Sequence, residues 1–309
     1  MTFRFYFLFS FFSLLFLFYP GDSDLFRIFA FNRDLFTKNT VIETADISIP
    51  LVINPSYQPE LSEEVVYIVY KNSFTPIYEK SPTQRLYPAS TTKIITALVA
   101  YEVFDLNKVI TIKKILEDGQ LMGLVPGERI SVEYLLYGTL IHSGNDAAYA
   151  LAYEYGYDKF IELMNKKAQE LQMKNTHFEN PIGYDSANQY TTAFDLALAA
   201  RELLENNYLS KIVSIKEITI SDVDFKYFHS LSNINKLLGE VSGIGGVKTG
   251  YTEEAGENLV SFYKHGDNKE YIIVIMKSED RFQDTLNSVD WINKNIEYVS
   301  IKLHASIRR

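Results

Sequence analysis

Three short groups of residues could do chemistry. Ser90-Thr91-Thr92-Lys93 sets a hydroxyl and an amine three residues apart. On a helix these side chains share a face, so the amine can lie against the hydroxyl and take its proton. Pro88 precedes the serine and a strongly apolar run follows it. That places Ser90 at a helix start, where unpaired backbone N–H groups can hold an oxyanion. Taken alone, the same residues fit a helix-capping serine equally well. A second match, Ser261-Phe262-Tyr263-Lys264, falls in a strand pattern, where i and i+3 point to opposite faces. Ser143-Gly144-Asn145 lies between two helical patterns and can aim a hydroxyl and an amide into a cleft. Its alternative is a helix cap, and Ser186-Ala187-Asn188 repeats the spacing in a polar loop. Lys248-Thr249-Gly250 follows the flexible run Ser242-Gly243-Ile244-Gly245-Gly246 and occurs once in the chain. A strand edge bearing an ammonium, a hydroxyl and then glycine lets a substrate lie alongside, with the ammonium drawing a carboxylate. The alternative is an ordinary glycine turn. In this order and these contexts, the three groups together point to acyl transfer at Ser90.

The elements that must position these groups follow from hydrophobic period. Residues 65–70 read as a strand, broken by Asn72-Ser73 and Pro76 before Ile77-Tyr78 resume, as in a hairpin. Over 90–104, Ile94, Ile95, Leu98, Val99 and Val103 recur at helical spacing, which predicts a buried helix. Further helices are predicted at 132–141, 146–155, 157–171 and 193–204, the last with Thr191 or Thr192 as cap. Strands at 258–264 and 270–277 flank the turn His265-Gly266-Asp267-Asn268. Residues 282–298 read as a closing helix with Leu286, Val289, Ile292 and Ile296 on one face. Strands at both ends and helices between them predict an α/β (α+β) fold, an antiparallel sheet with a helical insertion.

Composition narrows the chemistry. The 309 residues are 47% hydrophobic and 22% charged, which supports a core rather than global disorder. The net charge is −9, and basic runs go no further than the pairs Lys113-Lys114, Lys166-Lys167 and Arg308-Arg309, so nucleic acid is not an expected partner. Absence of cysteine excludes disulfides, thiolate catalysis and Cys-ligated zinc. Five scattered histidines show no metal-ligand spacing, and neither a metal nor an organic cofactor is expected. His142 beside Ser143 reads as a supporting or surface residue. The uncharged stretch from Phe5 to Tyr19, led by Arg4 and ended by Pro20-Gly21-Asp22, makes residues 1–21 a signal peptide or uncleaved signal-anchor. A buried N-terminal helix is the alternative. The remainder is expected outside the cytoplasmic membrane, with a stalk over 22–60, a catalytic domain over 61–300 and a tail over 301–309.

With these residues in view, the chain resembles the low-molecular-weight penicillin-binding proteins. These are serine-type D-alanyl-D-alanine carboxypeptidases related to class A β-lactamases. Residues 88–94, 143–148 and 246–252 look like that family's active-site segments, and 176–183 and Asn233-Ile234-Asn235 with Leu237-Leu238 support them. The likeness covers about residues 60–300. It implies a β-lactamase/transpeptidase-like fold, with an antiparallel sheet of about five strands, flanking helices and a helical subdomain. It also implies roles. Ser90 is the nucleophile, Lys93 its base, Ser143 a proton relay, and Asn145 a support for Lys93 and the substrate amide. Lys248 and Thr249 bind a terminal carboxylate beside Gly250, and the N–H groups of Ser90 and Tyr251 form the oxyanion hole. The implied substrate is a peptidoglycan stem peptide, with β-lactams as inhibitors. Many members continue into a second β-rich domain and an amphipathic membrane tail. The chain stops before either, which leaves the N-terminal apolar segment as the expected membrane anchor. A D,D-endopeptidase would use the same site. A class A β-lactamase would need a Glu-x-x-Leu-Asn pattern that the loop at 178–183 lacks. A non-catalytic wall-binding or β-lactam-sensing protein would have dispensed with Ser90 or Lys93.

Overall fold

The computed structural model describes residues 2–17, 42–62, 64–266 and 269–306. It divides into a small unit (1–48 and 300–309) and a large one (49–299). In chain order the elements begin with α1 (Thr2–Leu17), β1 (Ile42–Val52), β2 (Val65–Tyr70) and β3 (Thr75–Lys80). A 3-10 turn (Ala89–Thr92) then leads into α2 (Lys93–Val103). The middle of the chain holds β4 (Val109–Thr111), β5 (Arg129–Ser131), α3 (Val132–Leu140), α4 (Asn145–Tyr155), α5 (Tyr157–Glu170), α6 (Ala193–Glu205) and α7 (Leu209–Ile212). The last part holds β6 (Glu217–Ser221), β7 (Phe228–Ser232), β8 (Ile244–Thr252), β9 (Gly256–Lys264), β10 (Glu270–Ser278), α8 (Arg281–Asn295) and β11 (Ile296–Ser306).

The central sheet is antiparallel throughout, in the order β3-β2-β10-β9-β8. All six residues of β2 are buried because both faces of the sheet are covered. The side-chain period of two then sorts them. Val65, Tyr67 and Val69 join Ile272, Val274 and Met276 in the core beneath the helical region. Val66, Ile68 and Tyr70 join Ile273, Ile275, Trp291 and Ile292 in a second core under α8. Helix α6 packs on β2 and β10 on the first side, and α8 packs on β9 and β10 on the other. Helix α2 lies at the centre of the helical region, against α3, α4, α5 and α6. Its first eight residues are all buried, so it is apolar nearly all round. Thr192, and not Thr191, caps α6 by accepting from Asp195 N.

Several expectations need correction. Pro76 does not break β3. It sits in an edge strand, where its missing N–H costs the sheet nothing, with a bulge at Ile68/Val69 opposite. The glycine run at 242–246 is not a free loop. Gly245 and Gly246 lie in the other edge strand, β8, where a Cβ would meet the Phe262 ring at 2.0 Å and Val213 O at 2.9 Å. The closing helix stops at Asn295, and Ile296 takes extended backbone to start β11, which pairs with β1. Residues 22–41 of the expected stalk lie outside the described residues. Of the rest, 42–52 form β1, and 53–57 are tied along α8. Ile53 N donates to Asn295 O at 3.0 Å, and Trp291 Nε1 donates to Tyr57 O at 2.7 Å. Residues 301–306 of the expected tail belong to β11. Residues 18–21 of the expected leader also lie outside the described residues. No helix among the described residues is long and apolar enough to cross a membrane, and α1 has 16 residues.

Candidate active site

Ser90 sits in the tight turn that opens α2, and the turn is held from both sides. Thr91 Oγ1 donates to Pro88 O at 2.6 Å, and Asn258 Nδ2 from β9 donates to Tyr87 O and Pro88 O at 3.0 and 3.2 Å. Ala89 is forced to φ +48°, a conformation that costs a residue with a Cβ. Lys93 is the first residue of α2, so its side chain returns over the same face as Ser90. Its Nζ donates to Ser90 Oγ at 2.7 Å, Asn145 Oδ1 at 2.7 Å and Ile182 O at 2.8 Å. An ammonium can donate to all three, and a neutral amine can donate to Asn145 and Ile182 while its lone pair accepts from the Ser90 hydroxyl. Lys93 is fully buried. Burial, and then the charge of Lys248, hold its pKa well below the usual lysine value, against a smaller opposing pull from Asp146.

The third acceptor comes from the loop at 180–184. Asn180 Oδ1 accepts from the backbone N–H groups of Ile182, Gly183 and Tyr184, at 3.3, 2.8 and 3.0 Å, and this tight loop turns Ile182 O toward Lys93. Gly183 has φ +95°, and a Cβ there would lie 1.8 Å from Ala89 O. The Ser90 turn and this loop can approach only across a glycine.

Ser143-Gly144-Asn145 forms the turn between α3 and α4. Ser143 is buried, with φ +60°. Asn145 starts α4. Its backbone N–H donates to Gln120 O at 2.7 Å, and its Nδ2 donates to Asp118 O at 3.1 Å and to Tyr184 Oη at 3.4 Å. Its oxygen is thereby left for Lys93.

Lys248, Thr249, Gly250 and Tyr251 lie on β8. Lys248 and Thr249 are buried, while Tyr251 is 61% exposed. Lys248 Nζ donates to Thr249 O at 3.0 Å. Burial, and then the charge of Arg281, bring its pKa down to about 7. At Gly250 a Cβ would lie 3.0 Å from Ser90 N and 3.1 Å from both Ala89 Cβ and Pro88 O. Glycine therefore lets the strand edge close against the Ser90 turn.

Ser90, Lys93, Asn145, Lys248 and Gly250 are thus joined by contacts or by direct charge coupling, and Ser143 adjoins them in chain. The motif look-alikes lie apart from these contacts. Ser261 is buried in β9, and Ser186 donates to Glu179 within its own loop. His142 contacts Gln120 and the backbone of Ser232, not Lys93.

One charged group escaped the sequence reading. Arg281, the first residue of α8, donates from Nη1 to Gly250 O at 2.7 Å, while its Nε is buried without a hydrogen-bond partner. It brings a second cation to the Lys248 side of the site. Nothing local marks it, since it lies 31 residues beyond Gly250 and reads as an ordinary helix-start residue. Among the described residues, no cluster of three His, Cys, Asp or Glu could hold a metal ion. The arrangement offers a hydroxyl against a buried amine with a lowered pKa, and a cationic strand edge beside it.

A family model for D-alanyl-D-alanine carboxypeptidases matches residues 54–280. The D-alanyl-D-alanine carboxypeptidase DacF of Bacillus subtilis is 37% identical over 227 residues, which cover 70% of this chain and 58% of that protein. The chain thus spans little more than half the length of that relative. The D-alanyl-D-alanine carboxypeptidase of Streptomyces sp. strain K15 is 33% identical over 223 residues, 66% of this chain and 77% of that one. The crystal structure of the Streptomyces K15 DD-transpeptidase superposes with a TM-score of 0.72 at 30% identity, covering 76% of this chain and 98% of that one. The five-stranded antiparallel sheet, its covering helices and this sequence match agree, and the chain belongs to the D-alanyl-D-alanine carboxypeptidase family.

Proposed function

We propose that this chain is a serine-type D-alanyl-D-alanine carboxypeptidase that removes the terminal D-Ala from peptidoglycan stem peptides. The observation that carries this reading is the 2.7 Å contact between Ser90 Oγ and a fully buried Lys93 whose pKa is lowered by burial and by Lys248. An alcohol needs an adjacent base, and a lysine serves only once it has lost its proton. Neutral Lys93 takes the Ser90 proton as Oγ attacks the penultimate D-Ala carbonyl. The backbone N–H groups of Ser90 and Tyr251 receive the oxyanion. Ser143 passes a proton to the departing D-Ala nitrogen as the C–N bond breaks, and Asn145 holds Lys93 and the substrate amide in register. The terminal carboxylate lies against Lys248 and Thr249, with Arg281 as a second cation. Water then cleaves the Ser90 ester and regenerates the enzyme.

A β-lactam offers a carboxylate and a strained amide to the same groups. The carboxylate nearest in sequence to a β-lactamase deacylating base, Glu179, is occupied by Ser186 and Asn188 of its own loop. Penicillin should therefore remain as a long-lived ester on Ser90. Incubation with benzylpenicillin followed by intact-mass measurement should show one added penicillin mass, absent from Ser90→Ala. D-Ala should be released from a pentapeptide ending in D-Ala-D-Ala. Absence of both would refute the reading. The part of α1 that follows Arg4, residues 5–17, is uncharged and rich in aromatic residues, and it supports export of the rest of the chain, by a leader or an anchor, to the cell envelope. A reporter enzyme active only outside the cytoplasm, fused after residue 60, should be active, and an inactive fusion would refute export.

A further inference from the structure

The loop at 112–128, between β4 and β5, forms the wall of the site behind Asn145. Asn145 N donates to Gln120 O at 2.7 Å and its Nδ2 to Asp118 O at 3.1 Å. The next residue, Asp146, accepts from the N–H groups of Met122, Gly123 and Leu124 at 2.9, 2.9 and 3.0 Å. A Cβ on Gly144 would lie 3.3 Å from Met122 N, so the turn and the loop are packed together. Where Asn145 stands, and so where it holds Lys93, depends on this loop.

The loop is held from its other side by one ring. His229 of β7 is 5% exposed, and Glu128 at the loop's end is 1% exposed. His229 Nε2 lies 2.7 Å from Glu128 Oε1, and Nδ1 lies 3.1 Å from Met122 O. Both neighbours are acceptors. Only the imidazolium donates to both, and either neutral tautomer turns a lone pair toward an oxygen. The other Glu128 oxygen is already engaged, accepting from Val125 N at 2.9 Å. The charges acting on the ring are Glu128 and Asp146, both negative. Arg129 beside Glu128 is turned to Asp224, and Asp222 of the β6–β7 hairpin accepts from amides of its own turn. Burial alone would lower the ring's pKa. The bond and charge of Glu128, with the Met122 carbonyl, outweigh burial and raise the ring's pKa above its ordinary value.

We infer that His229 is a positioning residue whose imidazolium, paired with Glu128, pins the 112–128 loop against Asn145. Loss of that proton as pH rises then slackens the support of Lys93 and slows acylation of Ser90. The rate effect rests on the acyl-transfer reading of the site. None of the groups assigned to substrate or to proton transfer touches His229 or Glu128.

The test compares the full chain with Glu128→Gln. In that isosteric variant the amide N–H can donate to neutral His229 Nε2 while its oxygen keeps Val125 N, so the pin no longer needs the imidazolium. The second-order rate of Ser90 labelling by a fluorescent penicillin is measured from pH 6 to pH 9 for both proteins. Titration of Lys93 and Lys248 is common to both and cancels in the ratio. The ratio of variant to wild type should rise by about fivefold across that range, the scale of one unmet buried polar contact. A ratio that stays constant with pH overturns the inference. Hydrogen exchange at Met122, Gly123 and Leu124, corrected for intrinsic rates, gives an answer that needs no acylation. Protection should fall with rising pH in wild type and persist in Glu128→Gln, and equal protection in both overturns the pin. If wild type is not acylated at any pH, the acyl-transfer reading fails, and exchange alone judges the pin.

Discussion

Substrate binding should weaken steeply above pH 7, at a turning point set first by the burial of Lys248 and then by Arg281. Lys248 is buried, and its pKa is brought down to about 7 by burial and then by Arg281. A substrate carboxylate binds the charged form, so the apparent dissociation constant is multiplied by the ratio of all protein to charged protein. That factor is about 2 at pH 7, about 11 at pH 8 and about 100 at pH 9, until the pKa of the bound state is reached. Calorimetric titration of Ser90→Ala with an N-acetylated peptide ending in D-Ala-D-Ala isolates binding from chemistry. Adding Arg281→Gln should weaken binding at pH 6, because a cation is lost, and should also move the turning point upward, because Lys248 keeps its proton longer. An affinity that is flat from pH 6 to pH 9, or a turning point unmoved by Arg281→Gln, would rule out Lys248 as the titrating carboxylate anchor. The same shift has a stability consequence of defined sign. Between pH 7 and 10.5 the unfolded lysine holds a proton that the folded one has lost, so this group's contribution to stability rises with pH over that window. Below pH 7 its full cost is present, on the order of 5 kcal/mol before relaxation. Lys248→Met should therefore raise the melting temperature at pH 6 while abolishing carboxylate binding.

Two other outcomes follow from the contacts. Asn145→Asp keeps the size of the side chain that accepts from Lys93 but adds a negative charge beside it, which raises the lysine's pKa. The rising limb of the acylation rate against pH should shift upward by about one unit or more, whereas an unshifted limb would show that Lys93 is not the titrating base. Gly250→Ala puts a methyl 3.0 Å from Ser90 N, so it should slow penicillin labelling by about tenfold or more while thermal unfolding moves by only a few degrees. Labelling at the wild-type rate would mean that the β8 edge does not need to close on Ser90.

Much of the molecule was readable because its determinants are local. A serine and a lysine three residues apart at a helix start meet wherever that helix forms, so Ser90 and Lys93 could be paired without any tertiary information. The alternation in β2, β9 and β10 and the helical period of α2 likewise act within a few residues. Where the reading went astray, distant partners decided. The glycines of β8 suggested a flexible run, yet Phe262 and Val213 occupy the space their side chains would need. The apolar period of α8 continues through Ile296, but the chain leaves the helix after Asn295, whose side chain is bonded to the backbone of Asn54, 241 residues away.

Residue type and short spacing were enough to read the Ser90–Lys93 pairing, the order of the three motifs, the antiparallel layered class and the family. The electrostatics of the site come from packing between distant parts of the chain. The lowered pKa of Lys93, its third acceptor at Ile182, the cation at Arg281 and the His229–Glu128 pin all join groups at least 31 residues apart in the chain. Burial and charge act through space, and no local pattern encodes which distant side chains the packed core will bring within a few ångströms.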